Sequence, residues 1–501
     1  MNNSFRASSL FNQKIFHAPF ANEGTTINKT RLIGLAFLAG ILFVIPLKAN
    51  AYGSGISSDP AMLVKPIIFS ASKDIDWVRQ CIDQYPEILW LADESVRKTE
   101  EAQASLQGSY SEQLFDKKFI EFDRTIMTLH SLKLILDGSD EAYLEFTKDQ
   151  QEDTKLSRES FQKLHEQGMA LLKSKYLGMS ELELMQALEA SLVLGDIGKS
   201  EKAREIFKTY GAKAPDHDDF HEEVIQILQT HPKLCPTFDR LSPAAKQLIT
   251  QSANLAHYGH ITHIEGGPDM FSKLNSNAVS SIALSFDFFV HICDVAGALG
   301  HVNKRSSLVC TEPTYLAMQG VLDSCKVLAS SETTEIDAYN TYLSIRANWL
   351  GLNPQDRTDR VLTRMGAMLR LFTPEDGTIL KQAVQKLSPK VQAKIIEQLD
   401  VPQKEELERT PTYMPAVLVN LANNPQLGKS KEERISKAVT LGLPFLVRVL
   451  ETHKEHILAH KADPTIPLNF NKAAGVAKIN PKALSNEYNI DPEGNVIILD
   501  F

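Results

Sequence analysis

The sequence predicts an all-α protein, a large multi-helix bundle, and three observations carry that reading. Apolar residues recur at helical spacing along most of the chain, as in Phe119, Phe122, Ile126, Leu129, Leu132 and Leu136. Strand-like runs are scarce, and Val496-Ile497-Ile498-Leu499 is the best of them. The composition is that of an ordinary globular chain, with 501 residues, 43% hydrophobic and 23% charged, and only 25 Gly and 23 Pro. A chain of this length buries a large core without disulfide or metal staples. Its 53 Lys and Arg against 62 Asp and Glu give a net charge of -9, so a generic nucleic-acid partner is not expected.

Residues 1–51 read as a targeting segment. Lys29 and Arg31 precede the uncharged run from Leu32 to Leu47, and Ala49-Asn50-Ala51 supplies a small-x-small cleavage site. The run is short for a bilayer span, which needs about 20 apolar residues. Export after cleavage (periplasmic or secreted) is the expected outcome. The alternative is a retained anchor at residues 32–47, the only expected membrane contact. The 5 Cys form no CxxC pair and are odd in number, which fits small buried apolar residues better than a disulfide framework or a zinc site.

Residues 52–73 are Gly, Ser and Pro rich and read as a linker. An N-terminal helical region, 74–150, opens with the stripe Trp77, Cys81, Ile82, Tyr85, and Gly138-Ser139-Asp140 breaks its longest helix. The next region, 151–330, carries a helical pattern through Phe161, Leu164, Met169, Leu171 and Leu172. Ser180 and Glu183 then form a capping box for a helix running to about Leu194. A C-terminal helical region, 331–465, is punctuated by Pro402, Pro411 and Pro415. Gly442-Leu443-Pro444 is expected to interrupt its last helix, which ends near His460. Residues 466–501 read as a mostly irregular tail.

Chemistry concentrates in the middle. Of 14 His, eight lie between 217 and 301: His217, His221, His231, His257, His260, His263, His291 and His301. Imidazole is both the commonest metal ligand and the natural acid–base group near neutral pH. The segment Asp216-His217-Asp218-Asp219 offers consecutive ligands for a divalent ion, or else carboxylates at the positive end of a helix. His257, His260 and His263 are spaced by three, which makes successive members neighbours on a helix. His260 and His263 are therefore candidate catalytic groups. Two glycines in Asp294-Val295-Ala296-Gly297-Ala298-Leu299-Gly300 permit close approach of a helix or ligand, and His301, Lys304 and Arg305 beside them are candidate anion-binding residues.

The apolar helix ending in Gly195-Asp196-Ile197-Gly198-Lys199, with His165 on the helix before it, resembles the HD-domain metal-dependent phosphohydrolases. Those carry a His on one helix, an HDIGK-like helix end about thirty residues on, and a distant Asp. The resemblance implies an HD-like helical core over 151–330. It also implies a divalent metal ion held by His165, Asp196 and Asp294, with Lys199 among the substrate-binding residues. Gly195 stands where the family has its paired His, and His217 with Asp218 would replace that ligand. In this reading a metal-bound water attacks a phosphoester or another small-molecule substrate. The same ligand set could serve a helical iron-dependent oxygenase. The Gly195 departure points instead to an inactive exported helical scaffold or binding protein. The segments around Gly195–Lys199, His217-Asp218, Asp294–His301, Tyr413–Ala416 and Leu441–Phe445 also resemble an uncharacterised family of large helical proteins from fungi and bacteria. No Walker loop, dinucleotide fingerprint, G-x-S-x-G elbow or H-E-x-x-H helix occurs, which disfavours those enzyme classes.

Overall fold

The computed structural model describes residues 71–93, 106–214, 217–253, 255–275, 280–329, 332–401 and 410–499, with the side chains of 71–73, 217, 218 and 275 outside that set. The apolar run 32–47 and its cleavage motif lie outside the described residues.

The first half begins with α1 (Ala71–Gln84), which buries Trp77, Val78 and Cys81. After α2 (Tyr110–Phe115) comes α3 (Ile120–Asp137), the central helix of this half. It is buried on nearly all faces, polar residues included, so it lacks the one-sided stripe of a surface helix. Gly138 ends it at φ 67°, where a Cβ would lie 2.3 Å from the His165 ring, so glycine is required twice over. Next come α4 (Asp140–Thr147), α5 (Arg158–Leu172) and α6 (Glu181–Leu194). Helix α6 starts at the expected capping box, with Ser180 N donating to Glu183 Oε2 at 2.9 Å and Glu183 N to Ser180 Oγ at 3.2 Å. The chain continues through α7 (Glu201–Lys208), α8 (His217–Thr230), α9 (Pro236–Asp239), α10 (Pro243–Ser252) and α11 (Tyr258–Thr262). Helix α12 (Ser281–Gly297) packs on α3 more than on any other helix. A Cβ on Gly297 would sit 2.0 Å from Thr128 Oγ1, and one on Gly300 2.5 Å from Met127 Cβ. The small residues of 294–300 thus admit a partner helix. Helix α13 (Glu312–Val327) completes this core, and α14 (Glu335–Leu350) serves both, with Tyr339, Tyr342 and Leu343 in the first and its last turn, Ala347 and Leu350, in the second.

The second half comprises α15 (Arg357–Met368), α16 (Pro374–Gln385), α17 (Pro389–Leu399), α18 (Met414–Asn423), α19 (Lys431–Leu458) and α20 (Asn471–Ile479). An antiparallel hairpin of β1 (Tyr488–Ile490) and β2 (Val496–Ile498), with Tyr488 opposite Ile498, closes it.

The all-α class is right, and three boundaries differ from expectation. Residues 74–150 and 151–330 are not separate bodies, because Trp77, Phe122, Leu188 and Phe289 belong to one continuous core. Helix α19 runs through Pro444 instead of stopping there. The proline removes the donor to the Thr440 carbonyl, but both flanks bury apolar residues, Val439 and Leu443 before it and Phe445 and Leu446 after it. The tail is ordered: Phe470, Ala473, Val496 and Ile498 are buried in the second core. All five thiols are buried and unbridged. No described helix is long and apolar enough to cross a membrane.

Candidate functional site

Helix α6 ends at Leu194, and the chain turns through Asp196 into a 3-10 step at Ile197–Lys199. Ile197 and Gly198 are buried, which fixes the step and brings the side chains of Asp196 and Lys199 together. Lys199 Nζ donates to Asp196 Oδ1 at 2.7 Å and to Glu121 Oε2 at 3.1 Å. Glu121, 3% exposed on the first turn of α3, also accepts from Arg124 Nη1 at 2.9 Å. Burial alone would lower the Lys199 pKa; the Asp196 and Glu121 carboxylates outweigh it and hold the ammonium above the ordinary lysine value. Asp294, exposed on α12, adds to that field and to the field on His291 one turn earlier.

His291 is held by its own helix. Its Nδ1 lies 2.9 Å from the Asp287 carbonyl and 3.2 Å from the Asp287 carboxylate. Burial would depress this imidazole, but the Asp287 carboxylate raises it to about 9, so it is a cation at neutral pH. Asp196 and Glu121 therefore meet Lys199, Glu121 also meets Arg124, and Asp287 meets His291, with Asp294 adding to the field on Lys199 and His291.

The other expected residues are spread over the molecule. His165 Nδ1 donates to the Ile135 carbonyl at 3.0 Å, capping the far end of α3. Glu121 and Ile135 are fourteen residues apart on that helix, roughly 21 Å at 1.5 Å per residue. His165 and Asp196 are thus too distant to share an ion whose ligands lie at about 2 Å. His221, on α8, bonds the Leu194 carbonyl at 3.1 Å through Nδ1, which sets the first turns of α8 beside Asp196. His217 lies one turn earlier, and its side chain and that of Asp218 are outside the described residues. The expected shell of His165, Asp196, His217, Asp218 and Asp294 does not assemble as a unit, since His165 stands apart. Among the described residues, no group of three or more His, Cys, Asp or Glu is arranged to hold a metal.

The expected catalytic pair belongs elsewhere. His260 Nδ1 donates to Glu265 Oε2 at 2.5 Å, and its ring lies 4.3 Å from that of His257. His263 Nδ1 donates to the Gly259 carbonyl at 2.7 Å. Burial, with Arg370 and Arg346 nearby, drives His263 down to about 3, so it is neutral at physiological pH. The expected anion binders are likewise engaged. Lys304 Nζ donates to the Gly108 carbonyl at 3.0 Å, and Arg305 Nη2 to Asp74 Oδ2 at 2.8 Å. His301 is 4% exposed and its carbonyl accepts from Leu106 N at 2.7 Å.

The sequence reading misses Glu121, Arg124 and Asp287. The i,i+3 pair Glu121–Arg124 and the i,i+4 pair Asp287–His291 are visible as local spacings. That Glu121 meets Lys199 is not, because 78 positions separate them.

One family model spans most of both cores. The chain belongs to a family of unknown function (DUF6829). The match covers residues 83–480, from the end of α1 to just past α20. That family's description names no reaction. No curated protein matches the chain, and no solved structure does.

Proposed function

We propose that this protein is a non-catalytic helical scaffold in which a lysine holds the positions that an HD-like enzyme would give to a divalent ion. The observation that carries this reading is Lys199 Nζ, in contact with both Asp196 and Glu121. An ammonium group supplies three donors and one positive charge, and here it relieves carboxylate repulsion without any metal. The Glu121 carboxylate is nearly fully buried, and an unpaired buried charge is strongly unfavourable. Displacing Lys199 with a metal would have to overcome that pairing.

The second reading is the metal-dependent hydrolase of phosphoesters that the sequence resemblance implies, or the iron oxygenase related to it. It is favoured by Asp196 and Asp294 sharing the field of one lysine, and by His217 and Asp218 lying on α8 one turn from His221. Elemental analysis of the purified full chain separates the two readings. The scaffold reading expects no stoichiometric Mg, Mn, Fe or Zn after dialysis, and a lower Tm for Lys199→Met. Near-stoichiometric metal in the wild type, together with turnover of a generic phosphodiester, would overturn it. Export, or anchoring through residues 32–47, is proposed from the apolar run and its basic flank. Amino-terminal sequencing of the mature protein tests it: a start just after Ala51 supports cleavage.

A further inference from the structure

The segment from His260 to Asp269 is seated in the first core through Ile261 and Ile264, and residues of the second half grip it. Ile264 sits at φ 47°, in the left-handed region that a β-branched residue rarely adopts, and it is 1% exposed. Its carbonyl accepts from Arg364 Nε at 2.9 Å, and the next carbonyl, of Glu265, accepts from Arg364 Nη2 at 2.5 Å. The third arm of the same guanidinium, Nη1, donates to the Leu399 carbonyl at the end of α17, at 3.0 Å. Arg364 is 4% exposed. One buried side chain thus binds two consecutive strap carbonyls and one second-core carbonyl, with the planar fork of arginine matching all three.

The strap's own side chains complete the grip. Glu265 is 5% exposed, and its Oε1 accepts from Met414 N at the start of α18, at 2.9 Å. Its Oε2 accepts from His260. Asp269 Oδ2 accepts from Thr410 Oγ1 at 2.8 Å. Gly266 and Gly267 lie so close to Thr410 and Val401 that a Cβ would meet them at 2.2 Å and 2.9 Å. Tyr342 Oη on α14 donates to the Thr262 carbonyl at 2.9 Å.

We propose that residues 260–269 form a strained latch between two cores that can otherwise open separately, with Arg364 as its pin. Withdrawing Arg364 leaves the Ile264 and Glu265 carbonyls without their buried donor, and Ile264 relaxes out of the left-handed region. The second core then unfolds as its own unit while the first holds. Local openings of this kind follow supersecondary or core boundaries, which is where the latch lies.

The experiment is Arg364→Gln in the full chain, read by calorimetry and by amide exchange resolved to peptides. Arg434→Gln is the matched control. Arg434 is also a buried arginine (5% exposed) bonded to three carbonyls, Ala422, Gly428 and Lys429, but all within the second core. The latch expects one endotherm in the wild type and a split one in Arg364→Gln. Exchange across 258–270 and 410–450 should rise at least about tenfold over that of 160–250. Arg434→Gln should lower Tm with one transition retained. If Arg364→Gln does not fold, Arg364→Lys keeps one donor to the strap and should show the same split more weakly. A single transition in the Arg364 variants, with protection lost evenly over both halves, overturns the proposal. So does an equal split in Arg434→Gln.

Discussion

The two cores solve burial of polarity in opposite ways. The first hides acids and imidazoles: Asp74, Glu87, Asp123, His130, Glu189, Asp287 and His301 are all nearly inaccessible. They are met by hydroxyls, thiols, amides and single cations. Glu87 accepts from Thr237 N at 3.0 Å and Cys235 Sγ at 2.9 Å, and Tyr85 Oη donates to Glu189. The second core hides arginines instead, and spends their forks on backbone carbonyls, as Arg346 does at the Leu371 carbonyl and Arg434 at three others. Its buried acids, Asp359 and Asp376, sit near helix starts and pair with Lys381 and Lys431. The buried groups whose titration is pushed well off its ordinary range, Asp123 and His130, belong to the first core, whereas an arginine stays charged across the acid range. The difference places the strongly shifted buried groups in the first half.

The largest effect expected is steric and confined to the first core. Gly297→Ala drives a methyl into the Thr128 backbone, at 2.6 Å from its nitrogen, and should destabilise by about 3 kcal/mol or more in urea unfolding. A loss below about 1 kcal/mol would mean that α3 and α12 separate easily, and the contrast would weaken. His130 comes next. Burial lowers it to about 3, below the ordinary 6.5, so the stability it contributes is present above 6.5 and lost as pH falls toward 3. Between pH 7 and 4.5 this contribution amounts to roughly 3 kcal/mol, and His130→Gln should remove about that much of the acid sensitivity. Equal slopes in wild type and variant would exclude the assignment.

Asp123 works in the other direction. Burial raises it to about 6, against the hydrogen bonds from Ser111 that lower it. Its folded value lies above the ordinary 3.8, so its contribution is complete in acid and is lost as pH rises through 6. Asp123→Asn should gain on the wild type by about 2 kcal/mol between pH 4.5 and 7.5, measured as the difference in unfolding free energy at the two values. The smallest effect lies in the second half. Gly475 is on α20, and a Cβ added there would have nothing within 4 Å, so Gly475→Ala should stabilise by about 0.5–1 kcal/mol. A destabilisation there would show that α20 has a close neighbour after all.

Local grammar is legible in the sequence and long-range pairing is not. The Ser180 capping box and the Gly138 stop each depend on residues within a few positions of one another, and each is present in the fold. The Gly195–Lys199 motif marks a real junction, but the identity of what faces Asp196 depends on Glu121 from a helix much earlier in the chain. His165 reads as a ligand only through the HD-domain resemblance; its Nδ1 bonds the Ile135 carbonyl, and backbone carbonyls leave no mark in a sequence. The spacing of His257, His260 and His263 fits one short helix, yet Glu265, Arg364 and Met414 decide what those rings do. Pro444 predicts a break by its local rule, and the burial of both flanking segments overrides it.

The hairpin at the end of the second core has a consequence for biosynthesis. Val496 and Ile498 are structural members of that half, so it cannot close until residue 498 has emerged from the ribosome. The first half needs little beyond α14 and is complete well over a hundred residues sooner. A nascent chain therefore carries one finished body and a long unfinished one, and the unfinished part is where chaperones should be found bound during translation.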